Sequence, residues 1–153
     1  MDTKREYKRP ESVLVIVHTN AGQVLLLQRV APTPFWQSVT GSLRWNEHDP
    51  VDAAHRELFE ETGIRHTKGL TDWHRTYRFE ILPAWRMCYA PGVTHNVEHL
   101  FSVRLSRACE IALNPSEHSA YQWVDLDSAR RLVWSWTNRE GIGLALEDVS
   151  TAF

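Results

Sequence analysis

The sequence predicts an α/β fold in which a mixed β-sheet packs between helices. Three observations predict it. Runs rich in β-branched residues outnumber helical ones, a strongly patterned helix follows the third strand, and two more helical stretches close the chain. Strands and helices mixed in this way bury their apolar faces best as a sheet covered by helices. With 153 residues the chain is one domain, 1–153, with room for a real core.

Each element has its own signal. Residues 12–18 (SVLVIVH) read as a buried strand. Thr19-Asn20-Ala21-Gly22 is a turn, and 24–28 (VLLLQ) is the returning strand. Prolines break the loop at 31–35, and 36–40 (WQSVT) is a short strand feeding Gly41. A helix comes next. Asp49 before Pro50 looks like an N-cap with proline at the first helical position, with Asp52 as the alternative start. Ala53, Ala54, Leu58 and Phe59 form its apolar side, and Gly63 is its stop. Residues 73–81 alternate as a strand. Residues 83–98 form a long connection carrying Pro91-Gly92, a hairpin link near the ligand. Strands at 100–105 and 121–124 flank a loop at 114–118, and 127–133 is helical. Thr137-Asn138-Arg139-Glu140 has the spacing of a capping box, opening a last helix towards Val149.

Composition narrows the partners. The formal net charge is −2, so no global basic field draws the chain to nucleic acid or to a membrane surface. No run is long enough to span a bilayer, and the charged N-terminus has no signal-peptide core. Cys88 and Cys109 are the only cysteines, which suits free thiols in a reducing cytoplasm. Oligomeric state is left open. Of the seven tryptophans most belong to the core, and a few are available to stack on a planar ligand.

The chemistry is concentrated in GSLRWNEHDPVDAAHRELFEETGI, residues 41–64. On a helix, Glu57, Glu60 and Glu61 stand at i, i+3 and i+4 and share one face. Like charges so placed repel, so a cation belongs in front of them. Oxygen donors favour a hard divalent ion, Mg²⁺ above all, with Mn²⁺ as the alternative. For two glutamates a solvated acidic face is the better reading. Three of them beside Arg56, with a glycine loop upstream, make it the minority one.

This segment resembles the Nudix box, G-x5-E-x7-R-E-U-x-E-E-x-G-U with U aliphatic. Arg56, Glu57, Leu58, Glu60, Glu61, Gly63 and Ile64 fit its second half at every specified position. Gly41 and Glu47 keep the spacing of the first half, but eight residues rather than seven separate Glu47 from Arg56. The extra residue falls at 48–52, in the loop entering the helix, where insertions are tolerated. The resemblance implies a Nudix-type α/β/α sandwich with the box helix against the sheet. Further pieces resemble one branch of that family, the bacterial dihydroneopterin triphosphate diphosphatases: Tyr7-Lys8-Arg9-Pro10, 35–42 (FWQSVTGS), 89–94 (YAPGVT), Ser116-Glu117-His118 and 135–139 (SWTNR).

The resemblance also implies roles for individual residues. By it, Glu57 and Glu61 ligate metal, helped by Glu60 and Glu117. Lys8 and Arg29 contact phosphate. Thr40, Phe79, Glu80, Ile81, Leu82 and Ser135 line the substrate pocket. Taken singly, Lys8 and Arg29 read as surface cations, Phe79 and Ile81 as alternating core, and Ser135 as a helix cap. The activity that the resemblance implies is Mg²⁺-dependent hydrolysis of dihydroneopterin triphosphate to the monophosphate and pyrophosphate. Glu57 and Glu117 are both candidates for the carboxylate that takes the water's proton. Arg56 joins the catalytic group by holding a helix glutamate in a fixed orientation. Trp36, Phe79, Trp85 and Trp136 are candidates to stack on the pterin. Two other readings stand beside this one: a general nucleoside triphosphate pyrophosphatase of the same fold, and a non-catalytic binding module, which the intact carboxylates disfavour.

Two further patterns are set aside. His95-Asn96-Val97-Glu98-His99 matches a zinc-protease spacing, which needs a helix to bring both histidines to one face, and this stretch is not helical. One of its histidines is nonetheless placed to touch the ligand. Gly141-Ile142-Gly143 follows no strand and carries no weight as a dinucleotide site.

Overall fold

The computed structural model describes residues 6–30, 34–65 and 68–150, without the side chains of 148–150. Seven strands and three helices succeed one another as β1 (Glu11–Thr19), β2 (Val24–Arg29), β3 (Trp36–Gln37), β4 (Val39–Ser42), α1 (Pro50–Thr62), β5 (Leu70–Glu80), β6 (His95–Leu105), β7 (His118–Val124), α2 (Leu126–Leu132) and α3 (Trp136–Ser150). A short 3₁₀ helix, Pro83–Cys88, leads from β5 towards β6. Part of the predicted loop at 31–35 lies outside the described residues.

The strand order is β3-β2-β1-β6-β5, with β4 paired to β1 and β7 paired to β2. Strand β1 runs parallel to β6 along its whole length. The other strand pairs are antiparallel, so the sheet is mixed, as expected. Strands β1 and β2 meet at His18 and Val24, while β4 takes the other end of β1 and β3 the other end of β2. The sheet therefore parts beyond that hairpin, and β3 and β4 sit in the gap.

Strand β1 is buried on both faces, and the period of two divides its side chains between two cores. Val13, Val15 and Val17 pack with Ala53, Ala54 and Leu58 of α1. Leu14 and Ile16 pack with Ala129 of α2 and with Ile142, Ala145 and Leu146 of α3. Helices cover both faces, which gives the α/β/α sandwich. Each buried Val, Leu or Ile among them contributes about 1.5–3 kcal/mol on burial, against about 0.5–2 kcal/mol for a helix cap. Among the described residues no helix is long and apolar enough to cross a membrane.

Several boundaries differ from expectation for local reasons. The strand predicted at 36–40 is two strands broken at Ser38. There Asn138 Oδ1 accepts from the Ser38 backbone N–H at 2.8 Å, and Asn138 Nδ2 donates to Ser38 Oγ at 2.9 Å. With that N–H taken, the chain leaves β2 and continues against β1. The last helix is capped by Ser135, whose Oγ accepts from the Asn138 N–H at 3.1 Å, not by Thr137, which is buried within the first turn. Strand β5 begins at Leu70 rather than 73, and β7 at His118 rather than 121. Strand β6 begins at His95, inside what reads from sequence as a connection. Phe59 lies outside the core, exposed beneath the Arg65 guanidinium 4.1 Å from its ring centre.

Candidate active site

Helix α1 is fixed at both ends. The Asp49 side chain accepts from the Val51 N–H at 3.0 Å, with Pro50 at the first helical position. Gly63 closes the helix at φ 79, donating its N–H to the Phe59 carbonyl at 2.8 Å. Only a residue tolerant of that left-handed conformation ends a helix this way without strain.

Its three glutamates do not share one exposed face. They grade from surface to interior. Glu60 is 41% exposed, Glu57 is largely covered, and Glu61 is 1% exposed. The acidic stripe read from sequence thus wraps under the sheet, because Glu61 lies next to the buried Leu58 round the helix. Gly41 makes room for this. A Cβ at Gly41 would lie 2.2 Å from the Glu57 carboxyl carbon, so the β4 backbone and this carboxylate can meet only at a glycine.

Arg56 organises the outer carboxylates, and all five of its N–H donors are used. Nε and Nη2 donate to the two Glu47 oxygens at 2.9 and 2.8 Å. Nη1 donates to Glu57 Oε1 at 2.7 Å and to Glu60 Oε2 at 3.2 Å. Nη2 also reaches the Ser42 carbonyl at 3.0 Å. Arg56 therefore holds three carboxylates, where one was expected. Glu47 joins this cluster despite the extra residue, which the loop before Asp49 absorbs. The Arg56 hydrogen bonds hold the Glu47 carboxyl below its ordinary range.

Glu61 is the exception. Its oxygens make no well-formed hydrogen bond among the described residues, although the Glu57 carboxyl and the Thr40 backbone stand beside them. Burial, then the neighbouring Glu57 carboxylate, then Glu117, push its pKa well above the ordinary value. Glu57 is also raised, by burial first. His118 Nε2 stands 3.6 Å from Glu61 Oε1. Burial, aided by Arg29, lowers that imidazole to about 4, so it is neutral near pH 7 and the contact is not an ion pair. A buried carboxylate flanked by two others is costly unless a proton or a cation compensates it. That donor set fits a hard divalent ion. Among the described residues no group of three such side chains already converges on one point.

A cavity of about 460 Å³ opens beside these carboxylates. Lys8, Arg29, Thr40, Glu57, Phe79, Glu80, Ile81, Leu82, Glu117 and Ser135 all line it. Arg56, Glu60 and Glu61 are not part of its lining. Arg56 and Glu61 stand behind Glu57, and Arg44 and Arg56 hold Glu60 at the rim. Of the proposed stacking residues, Phe79, Trp85 and Trp136 line the cavity. Trp36 does not; it packs against the α2–α3 side of the core. Its place is taken by Trp134, which stacks on Phe35 at 4.7 Å and meets Trp85 edge-on at 5.5 Å. Neither His95 nor His99 lines the cavity, and His99 instead contacts Glu11 at 2.7 Å. The intervening Asn96 and Glu98 do line it, since neighbours on a strand face opposite ways. Sequence reading misses both. The available signal is two polar residues in step with the buried Leu100.

Gly41→Ala tests the crowding at Glu57. The substitution is expected to displace that carboxylate and lower divalent-ion affinity about 10–100-fold, the range for losing a well-oriented group beside a metal. Circular dichroism should still report the wild-type fold. Calorimetric titration with Mn²⁺ checks the affinity.

Comparison with known proteins agrees with this geometry. A family model described as the NUDIX domain matches residues 8–142. The chain is 44% identical over 140 residues to the dihydroneopterin triphosphate diphosphatase of Escherichia coli, covering 89% of this chain and 91% of that one. It is 38% identical over 141 residues to the Haemophilus influenzae protein of the same name, covering 90% and 87%. The solved structure of the E. coli dihydroneopterin triphosphate pyrophosphohydrolase superposes with a TM-score of 0.84 at 42% identity, covering 90% of this chain and 95% of that one.

Proposed function

As the chain belongs to the NUDIX family, we propose that it hydrolyses dihydroneopterin triphosphate to dihydroneopterin monophosphate and pyrophosphate. The observation that carries this is one cavity lined by carboxylates, by the cations Lys8 and Arg29, and by Phe79, Trp85, Trp134 and Trp136. A polyphosphate needs the charged groups and a flat heterocycle needs the rings. The relatives named for this activity support the same substrate.

Nudix hydrolases generally need a divalent metal, and we assign Mg²⁺ here, with Mn²⁺ as a substitute. Glu57 and Glu61 would hold it, with Glu60 an outer donor once released by Arg44 or Arg56 and Glu117 left free at the cavity wall. When bound, such an ion offsets phosphate charge and lowers the pKa of a nearby water. The protein's own groups do the rest. Lys8 and Arg29 face the phosphates and complement the charge that builds up as the anhydride opens. Arg56 fixes the rotamer of Glu57 without touching substrate. Glu57 is engaged by Arg56, so we assign the base to Glu117, which lines the cavity and lies outside the Arg56 cluster. It takes a proton from the attacking water as the bond between the α and β phosphates breaks. Pyrophosphate leaves, and the monophosphate stays on the pterin side chain. The free thiols Cys88 and Cys109 support our placing the reaction in a reducing cytoplasm.

A substrate panel assayed for pyrophosphate tests the reading. Dihydroneopterin triphosphate should be turned over with a higher kcat/KM than dATP or any common nucleoside triphosphate. Faster turnover of dATP would make the chain a general pyrophosphatase, and no turnover of any substrate with Mg²⁺ present would make it a binding module.

Acid should weaken metal binding. The raised Glu57 and Glu61 carboxyls keep their protons to higher pH than ordinary carboxylates, and an ion must displace them. Apparent Mg²⁺ affinity should therefore rise with pH above the ordinary carboxylate range. Titrations across pH 5–8 check this, and a flat profile would contradict it.

A further inference from the structure

We propose that Glu98 is the specificity-determining residue of the cavity, accepting the paired N–H groups of the ring's 2-amino-4-oxo edge. This rests on the pterin substrate proposed for the same cavity. The residue is 5% exposed and lies in the first half of β6, between Ser12 of β1 and Tyr77 of β5. It lines the cavity, and its Oε1 has no hydrogen-bond partner among the described residues. Asn96, two residues before it, faces the same way. Its Nδ2 donates to Ser12 Oγ at 2.8 Å, and its Oδ1 is likewise unpartnered. Two buried acceptors with unused lone pairs thus stand on the cavity side of one strand.

A buried acceptor left unpaired is destabilising, so the ligand that suits this floor brings donors. Burial lifts the Glu98 carboxyl to about 7, against the pull of the Thr137 hydroxyl. Near neutral pH a pair of N–H donors would complete its ionisation. The 2-amino-4-oxo ring presents such a pair, a ring N–H beside an exocyclic amine, at the spacing of a bidentate carboxylate. The pairing edges of adenine and cytosine each set one amine beside a ring nitrogen that accepts, and against a carboxylate that nitrogen is repelled. Guanine carries the same donor pair as the pterin, so Glu98 selects this edge against adenine and cytosine and not the pterin against guanine. A site built to accept from a missing group discriminates strongly, because its own buried atoms stay unpaired.

The test compares wild type with Glu98→Gln, a change of equal shape that turns one acceptor into a donor. KM for dihydroneopterin triphosphate should rise about 10–100-fold, the worth of a hydrogen bond to a charged group, with kcat little changed. KM for dATP should hold or fall, because the amide can donate to the ring nitrogen that the carboxylate repels. In wild type, pterin should compete at least about ten times better than lumazine, which carries an oxygen in place of the 2-amino group. The variant should lose that difference. A wild type that prefers dihydroneopterin triphosphate but binds pterin and lumazine alike overturns the Glu98 assignment and leaves the activity standing. Equal loss on dATP and on the pterin substrate also overturns it, since that marks a general packing role. A wild type that prefers dATP removes the activity itself, and the assignment with it.

Discussion

Glu61→Gln is expected to lower pyrophosphate release by about 10³-fold or more, equivalent to about 4 kcal/mol of transition-state stabilisation. The metal-free variant should nevertheless be as stable as the wild type at pH 8, or more so. Glu61 is buried beside a second carboxylate with no well-formed hydrogen bond, and its pKa in the folded chain is raised well above the ordinary value. The folded protein then binds a proton that the unfolded chain has released, so stability falls as pH rises from the ordinary carboxylate range towards the raised value. A neutral amide removes that loss. Added Mg²⁺ should raise the melting temperature of the wild type and leave the variant's unchanged. Thermal scans with and without the ion check the three statements together. A variant that unfolds readily, or one that keeps near-normal turnover, would show Glu61 to be a structural residue.

The second large effect is Arg56→Ala. Its side chain is mostly covered and neutralises Glu47, Glu57 and Glu60 together. Removing one partner of a largely buried ion cluster leaves the others uncompensated and costs about 3–5 kcal/mol. For a domain of this size that is a drop of about 10 °C in melting temperature. Metal affinity should fall about 10–100-fold as Glu57 loses its fixed orientation. Arg56→Lys should recover little, because an ammonium group cannot bind three carboxylates and the Ser42 carbonyl in one planar fork. Denaturant melts of the two variants check the stability, and a lysine variant matching wild type would contradict the geometric role.

Much of this architecture is legible in the chain itself. The apolar runs of β1 and β2 and the caps at Asp49 and Gly63 are local signals, and local signals survive folding. Residues as far apart as Lys8, Phe79 and Ser135 are expected at the substrate by resemblance alone, and all three line one cavity. The failures share a cause, since burial is a property of the whole fold. Helical spacing puts Glu61 on a face with Glu60 but says nothing of the sheet that covers it. The Ser38 break depends on Asn138, a hundred positions along the chain. Glu98 is hidden because its strand reads from sequence as starting at Leu100, and the HxxEH spacing draws attention to the histidines. Trp36 is favoured over Trp134 because nothing local tells which tryptophan faces a cavity.

The most direct measurement is Mn²⁺ binding monitored by electron paramagnetic resonance, on wild type and on Glu61→Gln at pH 8. The free-ion signal should fall as wild-type protein is added, and more steeply in the presence of pyrophosphate. With the variant it should stay near that of the free ion. A variant that takes up Mn²⁺ as tightly as the wild type, or a wild type that leaves the signal untouched even with pyrophosphate present, would contradict the claim that these carboxylates exist to hold a divalent ion.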